Sequence, residues 1–145
     1  MEPARKSIME NLRILIIEDE ENARKVTAKY LCEYGSCDTA ENGEEGMELF
    51  IRAREEGNPY HVIFLDILMP KMSGRRVLDR IREIEDRDNL RDSERARIIM
   101  TSSLSDPRSI SRAFKSRCEG YLVKPFGRKD LEEQLQSLGL LKDPA

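Results

Sequence analysis

Val62-Ile63-Phe64-Leu65-Asp66-Ile67-Leu68-Met69-Pro70-Lys71-Met72-Ser73-Gly74 carries four apolar residues straight into a carboxylate, and Met69-Pro70 then stops regular structure. A short apolar run ended by a turn signal reads as a strand buried on both faces. Asp66 then has two readings. It begins a turn, as Asp often does, or it sits at the carboxyl end of a buried strand, where open α/β sheets place their ligands.

Upstream, Leu12-Arg13-Ile14-Leu15-Ile16-Ile17 is a first strand running into Glu18-Asp19-Glu20-Glu21. Ala23, Val26, Thr27, Tyr30, Leu31 and Tyr34 recur at helical spacing, with Gly35 as the expected stop. Cys37 to Ala40 is short and polar, the pattern of an edge strand. A second helix after Asn42-Gly43 turns Met47, Phe50 and Ala53 inward and breaks at Gly57-Asn58-Pro59. Downstream of Gly74, Val77, Leu78, Ile81 and Ile84 mark a third helix.

From Glu85 to Ala96 the chain is almost wholly charged or polar, which predicts a solvated helix end and loop. Arg97-Ile98-Ile99-Met100 is a fourth strand ending at Thr101-Ser102-Ser103. Asp106-Pro107 caps and opens a helix with Ile110, Ala113 and Phe114 inward. Gly120-Tyr121-Leu122-Val123 is a fifth strand ending at Lys124-Pro125, and a last helix shows Leu131, Leu135 and Leu138 before Gly139. Strands alternating with helix-length crossovers predict one α/β domain with a parallel sheet and right-handed connections. Residues 1–11 lack periodicity and read as a flexible leader, with Met9 a possible second start. The domain proper is expected over 12–139 and a short tail over 140–145.

The composition narrows the function. The chain has 145 residues, 39% hydrophobic and 37% charged, with net charge −3. That supports a single domain with a full core. It opposes wrapping of nucleic acid by bulk electrostatics, while leaving room for a local basic patch. No apolar run approaches a membrane span and no signal-peptide core opens the chain, so a cytoplasmic protein is expected. Cys32, Cys37 and Cys118 form no CxxC pair, and His61 is the sole histidine. Disulfide frameworks, zinc clusters and histidine triads are accordingly disfavoured.

Glu18, Asp19, Asp66, Thr101 and Lys124 each follow a strand, on one edge of the expected sheet. Two unit charges about 4 Å apart interact by about 4 kcal/mol at an effective dielectric near 20, so three clustered carboxylates need compensation. Protonation is one route. A hard cation such as Mg²⁺ is another, with carboxylate, carbonyl and water ligands. Three carboxylates and the Lys124 ammonium leave two negative charges, matching one Mg²⁺. A carboxylate beside Mg²⁺ and lysine suits attack on phosphorus, giving an aspartyl phosphate. No P-loop or GxGxxG fingerprint is present.

Four segments in order resemble the receiver domain of two-component response regulators, and the single-domain length resembles the stand-alone, chemotaxis-type members. They are Ile14-Leu15-Ile16-Ile17-Glu18-Asp19-Glu20, Asp66 to Gly74, Met100-Thr101-Ser102 and Gly120-Tyr121-Leu122-Val123-Lys124-Pro125-Phe126. The resemblance implies a doubly wound, flavodoxin-like (βα)5 fold with strand order 2-1-3-4-5. It makes Asp66 the phosphoacceptor for a partner histidine kinase or phosphotransfer protein. Asp19 is implied as a direct Mg²⁺ ligand, Glu18 as a ligand through water, and the Leu68 main-chain carbonyl as a further ligand. Thr101 is implied to bind the phosphoryl group, Lys124 to pair with it, and Tyr121 to rotate inward on activation. Lys124-Pro125 is implied to be cis.

Output is expected through a target protein on the face of the fourth helix, fifth strand and fifth helix, by a monomer or a phosphorylation-dependent dimer. The sequence shows no DNA-binding or catalytic output domain after Leu138, so output is expected through protein partners unless the chain is an excised receiver. Glu18 stands where Asp is more frequent, the charged segment before Ala96 is longer than usual, and Leu68 and Ser103 sit where phosphoryl lifetime is tuned. Two other readings start from the same residues. A phosphatase or phosphotransferase would want a second carboxylate just after Asp66, and Ile67-Leu68-Met69-Pro70 offers none. A phosphate-independent binding module would have no use for the full residue set.

Overall fold

The computed structural model describes residues 12–141. The leader assigned to 1–11 and the tail segment 142–145 lie outside the described residues. Five parallel strands, β1 (Arg13–Ile17), β2 (Ser36–Ala40), β3 (Val62–Asp66), β4 (Arg97–Ser102) and β5 (Gly120–Val123), form one sheet in the order 2-1-3-4-5. Between and after them run α1 (Glu21–Leu31), α2 (Gly43–Glu55), α3 (Gly74–Arg87), α4 (Pro107–Lys115) and α5 (Arg128–Ser137). A single 3-10 turn, Asp92–Glu94, interrupts the long connection before β4.

The continuous apolar runs are explained by burial on both faces. In β3, Ile63 and Leu65 join a core with Leu15, Ile17, Phe50, Val77, Leu78 and Ile81. Val62 and Phe64 point the other way, onto Ile14, Ile16, Leu31, Leu131 and Leu135. Successive strand side chains alternate in direction, so one run of sequence feeds both layers. β2 pairs only with β1, and its polar residues face solvent as expected of an edge.

Several expectations need correction. Val26 is 47% exposed and Phe114 46% exposed, so neither belongs to the core. The inward stripe of α1 is narrower than its apolar pattern, and in α4 only Ala113 is fully buried. Gly35 does not stop α1, which ends at Leu31. A Cβ at Gly35 would lie 2.2 Å from the Leu12 carbonyl oxygen, so this glycine serves a close backbone approach. Gly139 does take a left-handed conformation after α5, with φ of 72°. The core then continues past it, since Leu140 and Leu141 are buried.

The segment after Ile84 is not wholly solvated. Glu85 is 1% exposed and Ala96 is buried. The Glu85 carboxylate accepts from Arg82 Nη1 at 2.6 Å and from the Ala96 amide at 2.8 Å. Arg82 also donates to the Ala96 and Arg117 carbonyls and to the Glu119 carboxylate. Buried charge is tolerated when it is paired and hydrogen-bonded. Arg82 thereby ties α3 to the starts of β4 and β5 and to Arg117, two residues past α4, whose own side chain pairs with Asp86 on α3 at 2.9 Å.

Candidate functional site

Parallel register brings the strand ends together. Asp66 pairs with Thr101 across β3 and β4, Thr101 pairs with Leu122 across β4 and β5, and Ile17 pairs with Leu65 across β1 and β3. The next residues leave the sheet along the same edge. The Ile67 amide donates to the Thr101 carbonyl at 3.0 Å, and the Lys124 amide to the Ser102 carbonyl at 2.8 Å. Gly74 closes the loop after β3. Its amide reaches the Ile67 carbonyl, and a Cβ there would fall 2.0 Å from the Asp66 carbonyl oxygen.

The acidic run after β1 is sorted into separate tasks. Glu18 is 5% exposed and points at Lys124. Glu20 caps α1, accepting from the Asn22 and Ala23 amides. Glu21 pairs with Lys25 one turn on. Asp19 is left exposed beside Glu18 and Asp66, and these three carboxylates offer oxygens within 4.8 Å of one another.

Asp66 is 3% exposed. Burial first, then the neighbouring Glu18 carboxylate, push its carboxyl up to about 7, with Lys124 opposing and Asp19 adding. Lys124 Nζ donates to Glu18 Oε1 at 2.5 Å and stands 3.4 Å from Asp66 Oδ2. Burial works against the Lys124 ammonium, yet Glu18 and Asp66 hold its pKa above the ordinary value. The Leu68 amide donates to Asp66 Oδ1 at 3.3 Å, while the Leu68 side chain is exposed. Thr101 and Ser102 are buried beneath the site. Tyr121 is half-buried, and its hydroxyl donates to the Leu104 carbonyl at 2.8 Å. The Lys124-Pro125 peptide is cis.

An all-oxygen donor set of two buried carboxylates and one exposed one suits a hard divalent cation and offers nothing to a thiophilic metal. The structure therefore brings together Glu18, Asp19, Asp66 and Lys124, with Thr101 paired beside Asp66 and Tyr121 reaching the β4–α4 loop. Sequence reasoning missed Arg24. Its Nη1 donates to the Glu18 carbonyl at 3.0 Å, and its Nη2 lies 3.6 Å from Glu41. Its spacing held a signal, because Arg24, Thr27 and Leu31 fall on one helical stripe whose other two members are buried.

Comparison with known proteins agrees with this geometry. The family described as "response regulator receiver domain" matches residues 14–136. A probable transcriptional regulator ycf27 of Cyanidium caldarium is 32% identical over 126 residues, 86% of this chain and 45% of that protein. The regulatory protein VanRB of Enterococcus faecalis is 28% identical over 129 residues, 88% of this chain and 52% of that protein. The chain thus spans about half the length of the curated relatives it matches. Among solved structures, CheY in the CheX-CheY-BeF3-Mg²⁺ complex of Borrelia burgdorferi is similar, with TM-score 0.71 and 27% identity over 89% of this chain and 90% of that one. Vibrio cholerae chemotaxis protein CheY4, at 22% identity and TM-score 0.70 over 88% of this chain and 98% of that one, shares the fold. With that match over most of its length and the strand-end acidic site in place, the chain belongs to the response regulator receiver domain family.

Proposed function

We propose that this receiver is a phosphorylation switch in which Asp66 accepts a phosphoryl group, in an Mg²⁺-dependent reaction, from a partner histidine kinase or phosphotransfer protein. The observation that carries this reading is a buried carboxylate at the end of β3 facing Glu18, Asp19 and Lys124. Glu18, Asp19, Asp66 and the Leu68 main-chain carbonyl would hold the cation. When bound, Mg²⁺ would supply positive charge that offsets the carboxylates and the incoming phosphoryl oxygens. In the transfer a P–N bond to the donor imidazole breaks as an Asp66 oxygen–phosphorus bond forms, and the imidazole leaves. Lys124 pairs with the phosphoryl oxygens, and the Thr101 hydroxyl donates to one of them.

The added charge is about two units, so Thr101 shifts toward it. That shift changes the β4–α4 loop, to which the Tyr121 hydroxyl is bonded, and biases the α4–β5–α5 face for a target protein. Exposed Phe114 and Val123 on that face support a contact there. The chain then acts on itself alone, as a switch in the cytoplasm, as a monomer or a phosphorylation-dependent dimer. Intact-mass measurement after treatment with acetyl phosphate tests the proposal. A phosphoryl adduct on wild type with Mg²⁺, lost on chelation and in Asp66→Asn, is expected. An adduct of equal yield on Asp66→Asn overturns it.

A further inference from the structure

The Asp19 side chain is exposed, so the backbone that carries it sets much of its direction. Asp19 follows Glu18, the first residue after β1, and precedes the Glu20 cap, and its exposed carboxylate faces those of Glu18 and Asp66. The Glu18 carbonyl that Arg24 grips belongs to the Glu18–Asp19 peptide unit. That unit is planar, so fixing its oxygen also fixes the direction of the Asp19 N–H and one side of the Asp19 backbone. The other side of Glu18 is tied down by its amide, which donates to the Ala40 carbonyl at 3.1 Å. Arg24 is 12% exposed and reaches Glu41 beyond β2 with its other nitrogen, so the guanidinium bridges two loops at the site edge. Its carbonyl bond keeps the acidic turn from pivoting about the end of β1.

We infer that Arg24 is a positioning residue for the divalent cation, setting the direction of the Asp19 carboxylate through the Glu18–Asp19 peptide. This rests on the metal reading above. It makes a prediction opposite in sign to simple electrostatics. A guanidinium beside a cation site repels the cation, so charge alone would make its removal tighten binding. A positioning bond makes its removal weaken binding, and outer partners of this kind are worth about tenfold or more in metal affinity.

The test is Mg²⁺ titration by calorimetry on the purified chain, alongside melting without Mg²⁺ to confirm that each variant is folded. Arg24→Met, which loses donor and charge, is expected to bind about tenfold more weakly. Arg24→Gln keeps an amide donor without the charge and should recover part of the loss. Lys25→Met removes the same charge from an exposed pair on the next residue and should leave affinity unchanged. At saturating Mg²⁺ the phosphorylation rate of Arg24→Met should return to near that of wild type. Equal or tighter binding by Arg24→Met overturns the inference while leaving the metal reading intact. Absence of Mg²⁺ binding by wild type overturns both.

Discussion

Lys124 stands closer to Glu18 than to Asp66, at 2.5 Å from Oε1 of the first and 3.4 Å from Oδ2 of the second. The lysine is thus committed to a carboxylate just after β1, and under the proposed function it would have to share itself between that partner and a phosphoryl group. Lys124→Met should leave Glu18 buried without its cation and destabilise the metal-free chain by about 1–3 kcal/mol. The same variant should bind Mg²⁺ more tightly, because a competing positive charge is gone, and should be phosphorylated more slowly. Calorimetry and phosphodonor kinetics on one sample check both signs. Weaker Mg²⁺ binding would mean that Lys124 organises the acidic cluster rather than competing for it.

The Asp66 carboxyl, pushed up to about 7 in the folded chain, makes stability depend on pH. Its unfolded value is that of an ordinary aspartate, so the native state holds the proton more tightly. The associated stability is present below about pH 4 and is lost as pH rises through about 7. Asp66→Asn removes that loss, and at pH 8 without metal it should be more stable than wild type by about 1–3 kcal/mol. The difference should shrink toward zero at pH 4. Mg²⁺ at about a hundred times its dissociation constant should return about 2.7 kcal/mol to wild type at pH 8. Urea melts across pH decide the matter, and a gap that does not change with pH would contradict it.

Gly74 and Gly139 should respond differently to alanine. At Gly74 the obstacle is the Asp66 backbone, 2.0 Å from the would-be methyl, so the loop or the strand end must move. Gly74→Ala is expected to cost about 2–3 kcal/mol and to weaken Mg²⁺ binding with it. At Gly139 there is open space but φ is 72°, so alanine should cost about 1 kcal/mol through backbone strain. The site should not notice that change. Loss of metal affinity in Gly139→Ala would show that the C-terminal end is coupled to the site.

Arg82 and Glu85 form a pair whose removal should be non-additive. Arg82→Met strands the Glu85 carboxylate, 1% exposed, together with two carbonyls, and should cost about 3–5 kcal/mol. The Arg82→Met/Glu85→Met double variant should recover a substantial part of that loss, since no buried carboxylate is left stranded in α3. A double-mutant cycle in denaturant measures the coupling. Simple additivity would assign the cost of the single change to packing alone.

The fold could be read from the chain because its strands are apolar runs and its helices carry a regular stripe, both local signals. The strand-end positions of Glu18, Asp66, Thr101 and Lys124 followed from that alternation. What could not be read was decided over long sequence distances. Glu85 looked like one more charge in a solvated stretch, since its burial depends on the Ala96 amide and on an arginine also occupied by Arg117 and Glu119. Phe114 fits a helical period yet faces outward, because the sheet beneath α4 accommodates only the neighbouring Ala113. The division of labour among Glu18, Asp19, Glu20 and Glu21 depends on where α1 begins, which composition alone does not fix.

The clamp at the end of α4 has a mechanical meaning. Arg82 grips the Arg117 carbonyl and Asp86 grips the Arg117 side chain, so the tail of the helix is riveted to α3 at two points. Its body rests on the sheet through one small fully buried side chain, Ala113. Its head follows the β4–α4 loop, where the Tyr121 hydroxyl donates to the Leu104 carbonyl. A rod riveted at one end and resting lightly along its length swings from the other. Opening is therefore expected to start at the head, and amide hydrogen exchange should be faster in the first turn of α4 than in its last.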